Sequence, residues 1–124
     1  MPHLTLEYSS NLEFEIQPLL ARLHSELAAT GAVSLNTIKS RAVRRSEYRV
    51  ADGNPDYAFV FAGLLILEGR PLEVQREFAQ RVLAVLKETF CDRIENGYLS
   101  LSVDVREMRE GTWASFHNIP ESIG

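Results

Sequence analysis

The sequence predicts an α+β fold: a β-α-β unit repeated once, giving a four-stranded mixed sheet with two helices on one face. Three observations carry this. Residues His3–Tyr8 and Tyr98–Met108 alternate apolar and polar side chains, the period of a half-buried strand. Residues Ile16–Leu27 and Val74–Phe90 space their apolar side chains for one face of a helix. Each helical stretch is flanked by strand-like stretches, and a strong turn signal separates the two sets.

Taken in order, the first strand carries Leu4, Leu6 and Tyr8 on one face, and Ser9-Ser10-Asn11 breaks its pattern. Ile16, Leu19, Leu20, Leu23 and Leu27 then define a helix, and Gly31 is its stop signal. From Thr37 the chain reads TIKSRAVRRSEYRV. A strand here sets apolar Ile38 against Lys39 and Arg41, which share one face. ADGNPD at 51–56 combines Asp-Gly with Asn-Pro, a turn. YAFVFAGLLIL, residues 57–67, is almost continuously apolar and reads as a central strand, although pattern alone also allows a buried helix start.

EGRPLEVQREF opens the second helix. Pro71 suits its first helical position and Glu73 its first turn. Val74, Phe78, Val82, Leu86 and Phe90 extend it at i+4 spacing, and Asn96-Gly97 ends the connection. The last strand places Leu99, Leu101, Val103 and Val105 on one face. The tail from Gly111 holds Trp113, Phe116 and Ile119 with no long period. It is expected to pack on a neighbour or to form a short hairpin, with Trp113 and Phe116 as packing residues.

A chain of 124 residues suits one domain, 1–124, made of repeat units at about 2–50 and 57–110 and a tail at 111–124. Strands flanking a crossover helix pair in parallel with right-handed connections. The sheet face opposite the helices stays uncovered and apolar, which predicts a homo-oligomer. The single cysteine, Cys91, excludes an internal disulfide framework and points to a reducing compartment. Its place near the end of an apolar helical pattern makes it read as a packed thiol. His3, His24 and His117 are scattered, and no Cys, His or Asp spacing suggests a zinc or EF-hand site.

The net charge of −4 argues against a general nucleic-acid binder. Ala58–Leu67 is too short for a membrane span, and the start lacks the pattern of a signal peptide. A soluble cytoplasmic protein is expected.

MPHLTLEYSSNL at the start, LAATG at 27–31, IKSR at 38–41, ADGNPDYAFV at 51–60 and LEGRPLE at 67–73 are together a family signature. In order from Pro2 to about Met108, the chain resembles the 5-carboxymethyl-2-hydroxymuconate isomerase family of the tautomerase superfamily, with its macrophage migration inhibitory factor-like fold. The resemblance implies a homotrimer with its sheets facing inward, each subunit like a fused dimer of the short 4-oxalocrotonate tautomerase. It implies no metal and no organic cofactor. The substrate it implies is a small anionic dienol of homoprotocatechuate (4-hydroxyphenylacetate) catabolism.

In such enzymes an N-terminal proline, freed by loss of the initiator methionine, is the base. By position that is Pro2. A free α-amine titrates near 8, and burial beside cations lowers it toward the working pH, where a proton shuttle is most effective. Retained Met1 would make the same nitrogen an amide without basicity.

The resemblance also implies that Arg70 and Lys39 bind carboxylates and stabilise the dienolate. Related enzymes usually have arginine where Lys39 stands. Lysine offers a point charge instead of a planar fork, and Arg41, on the same strand face, is the candidate to take over.

Aligning LEGR with the short tautomerase's helix start puts Val60 where its terminal proline would be, while the first unit has apolar Leu12 where Arg70 would match. One working site per chain is expected. Two other functions fit the same fold: an enol–keto tautomerase acting on arylpyruvates, which Lys39 favours, and a non-catalytic oligomer.

Overall fold

The computed structural model describes residues 1–121. The strands are β1 (His3–Ser9), β2 (Lys39–Arg45), β3 (Tyr57–Leu67) and β4 (Tyr98–Met108). The helices are α1 (Ile16–Ala29), α2 (Leu72–Thr89) and the short α3 (Cys91–Asn96), with a single 3-10 turn at Leu35–Thr37 before β2. The sheet order is β2-β1-β3-β4. β1 pairs with β2 in parallel and β3 with β4 in parallel, while the central β1–β3 pair is antiparallel. The sheet is therefore mixed, as expected.

Residue 57–67 is a strand because its neighbours make it one. Ala58, Val60, Ala62, Leu64 and Ile66 alternate into the core, and β3 pairs on both sides. A helix start fits the same letters, but only a central strand buries one parity completely. That parity meets Leu19, Leu20, Leu23 and Leu27 of α1 and Phe78, Val82, Val85 and Leu86 of α2. Burying each such side chain contributes roughly 1.5–3 kcal/mol.

Two local expectations are corrected, at Pro71 and at Cys91. Pro71 stands one residue before α2 with ψ near 152°, so it flanks the helix instead of starting it. The i+4 row ends at Phe90 (φ −106°, ψ 24°), the cap of α2, and the short α3 that follows it is an element the sequence reading lacks. Phe90 is buried against Phe14, ring centroids 5.1 Å apart and edge to face, and Phe14 stacks likewise on Tyr8 at 4.9 Å. That aromatic anchor holds Phe90 while the chain turns to reach β4. Cys91 consequently begins a new helix and is exposed, not packed.

The tail forms no hairpin among the described residues. It returns to the 3-10 turn, where Asn36 Nδ2 donates to the Ile119 carbonyl at 3.1 Å. Phe116 is 88% exposed and does not pack within the described chain, whereas Trp113, 38% exposed, is largely covered by it.

The open sheet face carries His3, Thr5 and Glu7 of β1 and Lys39, Arg41 and Val43 of β2. Phe61 and Leu65 of β3 lie on it beside them, 40% and 36% exposed. No helix among the described residues is long and apolar enough to cross a membrane.

Candidate active site

The head of β1 is fixed by its ladder. The Lys39 amide donates to the Pro2 carbonyl at 3.1 Å, and His3 lies opposite Lys39 on one side and Leu65 on the other. Pro2 itself is fully buried. A residue at the second position of a chain usually lies loose; here it is part of the core's edge.

Two cations converge on this end of the sheet. The chain's terminal amine is held below its ordinary value of 8.0, by burial first, then by the charge and hydrogen bonding of Lys39, then by the charge of Arg70. No carboxylate contributes in the opposite sense. The Lys39 ammonium is oriented by the Thr37 carbonyl, to which it donates at 2.7 Å.

Arg70 is positioned from two sides. Its Nη2 donates to the Ala32 carbonyl at 2.9 Å, past the end of α1, and its Nη1 reaches the Leu67 carbonyl at 3.4 Å. Gln75, one turn into α2, donates from Nε2 to the Arg70 carbonyl at 3.0 Å. Gly69 precedes it with φ +109°, a backbone conformation that side chains disfavour, so glycine is needed for the turn that presents Arg70.

Arg41 is engaged differently. Its Nη2 lies 2.8 Å from His3 Nδ1 and its Nη1 3.5 Å from Thr5 Oγ1, along the open face. The structure thus gathers the terminal amine, Lys39 and Arg70, and places Arg41 on His3 beside them. His3 is held below its ordinary value by burial, then by the charges of Arg41, Lys39 and the terminal amine.

A shallow depression of about 310 Å³ lies next to this cluster on the open face, lined by Thr5, Phe61, Gly63, Leu65, Asp104 and Arg106. It contains none of Pro2, Lys39 and Arg70, and Arg106 in it is neutralised by Asp104 at 2.6 Å. The uncompensated positive charge is at the head of β1, not in this depression. The free amine gathered with these cations is that of Met1, one residue before Pro2 at the edge of the apolar core.

The family model for 5-carboxymethyl-2-hydroxymuconate isomerase matches residues 2–122. The chain belongs to that family. It is 34% identical over 110 residues to the 5-carboxymethyl-2-hydroxymuconate Delta-isomerase of Escherichia coli, covering 87% of each chain. Its fold is similar to that of a 5-carboxymethyl-2-hydroxymuconate isomerase from Deinococcus radiodurans R1. There the TM-score is 0.87 at 39% identity, covering 94% of this chain and 90% of that one.

A macrophage migration inhibitory factor-like protein from Entamoeba histolytica shares the fold at a TM-score of 0.67 and 15% identity, over 95% of this chain and 97% of that one. A fused 4-OT protein, described as a symmetric trimer, does so at 0.73 and 12%, over 96% and 94%. The fold is tautomerase-like, and family membership makes the chain an isomerase.

Sequence reasoning did not find the supports of Arg70. Gln75 sat in a helix with no sign of its task, and the Ala32 and Leu67 carbonyls are main-chain groups that no residue type announces.

Proposed function

We propose that the chain isomerises 5-carboxymethyl-2-hydroxymuconate by proton transfer, with the amine of Pro2 as base after Met1 is removed, in homoprotocatechuate catabolism. One observation carries this reading. The Met1 amine, one residue before buried Pro2, lies beside Lys39 and Arg70 with its charged form disfavoured. Removing Met1 transfers the free amine to Pro2, whose ring is already buried.

With its charged form disfavoured by burial and by Lys39 and Arg70, that amine takes the proton of the 2-hydroxyl. The negative charge spreads over the conjugated chain as a dienolate, and the proton returns to a carbon of that chain, moving the double bond. Lys39 and Arg70 hold the carboxylates and offset the developing charge. Proton shuttling by a matched base contributes about 10²–10⁴-fold. No metal or organic cofactor is needed for these steps.

Lys39 beside the amine also favours a second reading, tautomerisation of an arylpyruvate enol. Two cations and a neighbouring imidazole favour the more highly charged substrate.

Intact-mass measurement of the native protein should show Met1 absent. Assays with 5-carboxymethyl-2-hydroxymuconate and phenylenolpyruvate, side by side, should favour the first. Retained Met1 with turnover of either substrate would remove Pro2 from the mechanism. Faster turnover of phenylenolpyruvate would select the second reading, and turnover of neither would leave a non-catalytic oligomer.

A further inference from the structure

We infer that His3 is a neutral hydrogen-bond donor to the substrate, and that Arg41 is a positioning residue for His3 instead of a carboxylate ligand. The substrate role rests on the isomerase reading above; the state of the imidazole does not.

The argument starts from donor and acceptor inventory. A guanidinium has only N–H donors. Arg41 Nη2 lies 2.8 Å from His3 Nδ1, so Nδ1 must accept, the ring is neutral, and its proton is on Nε2. Register makes the pairing local and rigid: His3 stands opposite Lys39 and Thr5 opposite Arg41, so Arg41 reaches back along one face to His3 while Thr5 Oγ1 steadies Nη1. Both halves of the Arg41 fork are directed at side chains of β1. An end-on bidentate carboxylate grip through Nη1 and Nη2 would compete with these contacts.

The surroundings reinforce the neutral ring. The charged groups facing His3 from β2 are Lys39 and Arg41, and the terminal amine adds a third. From β3 it meets Leu65, beyond which lies Arg106 of β4. The nearest acid on its own face of β1, Glu7, is paired with Arg45 at 3.0 Å. Nε2–H has no partner among the described residues and lies in the same cationic cluster as the amine. A neutral donor there binds a carboxylate or dienolate oxygen without becoming a rival acid to the amine.

Nitrogen-15 NMR of the full chain carrying labelled histidine tests this, with the His3 signals identified by their loss in His3→Phe. The expected result at pH 7 is a neutral ring with the proton on Nε2. Adding cis,cis-muconate, a dicarboxylate, should move that N–H proton downfield. In Arg41→Met the two tautomers should mix and the ring should titrate nearer about 6.5.

Kinetically, His3→Phe should raise KM by about tenfold with kcat within about threefold, a loss of the size of one charge-assisted hydrogen bond. Arg41→Met should match that KM and gain a new acid limb in its pH profile. Arg41→Gln, which can still donate to Nδ1, should recover most of the loss. A ring protonated on Nδ1, an imidazolium at pH 7, or an Nε2–H proton unmoved by muconate would overturn the inference. So would a rise in KM in Arg41→Met that His3→Phe does not share. If the unaltered chain turns over neither substrate, the isomerase reading fails alone, and the tautomer and muconate titration still decide the role of His3.

Discussion

Pro2 is buried before any chemistry is asked of it. Its ring belongs to the core's edge, so replacing it should alter reactivity more than folding. Pro2→Ala should leave the urea midpoint near that of the parent and lower kcat by at least about 10²-fold, as steady-state assays would show. Histidine gives a second prediction at this scale. Burial lowers the pKa of His24, whose Nε2 lies 2.6 Å from Ser40 Oγ. Between that lowered value and about 6.5 the unfolded chain binds more protons than the folded one, so stability rises with pH through this window and levels off above it. His3 acts in the same sense. Denaturation midpoints at pH 5 and pH 7 should therefore differ less in His24→Gln than in the parent; an equal difference would exclude His24 as a source.

Elements with one wet face were legible from their periodicity. β1, α1, α2 and β4 each show a single apolar row; the first three bury theirs, and that of β4 packs against the core half-buried. The end of α2 was legible, since the i+4 row stops at Phe90, but α3 was not, because Cys91–Asn96 carries no buried row of its own. Cys91 was misread for the same reason: it opens α3 and is exposed. In the site, the shared face of Lys39 and Arg41 follows from strand parity. That Arg41 meets His3 follows from the β1–β2 register, which no pattern in either strand specifies alone.

Two predictions belong to this scale. Phe78 is fully buried in the middle of α2, and Phe78→Ala should cost about 3–5 kcal/mol in chemical denaturation. Arg70 ties the turn before α2 to the end of α1 through Ala32. Arg70→Lys keeps the charge but not the fork, so it should raise KM by about tenfold; Arg70→Ala should lower kcat as well, since it also removes charge opposite the dienolate.

For the whole molecule, the open face is the unfinished surface. It presents Phe61 and Leu65 between strands whose other faces are closed by helices. We expect three subunits to close it together. Phe61→Glu should convert the assembly to smaller species in sedimentation velocity; an unchanged sedimentation coefficient would place the interface elsewhere.

The two β-α-β halves meet through the antiparallel β1–β3 pair, with Tyr8 opposite Val60. This central seam has a consequence for heredity. When one gene encodes a short subunit used twice, a change made in one copy is imposed on the other. Halves joined end to end in one chain can vary independently. Here the first half holds Pro2 and the second holds Arg70, with Val60 mid-chain opposite Tyr8.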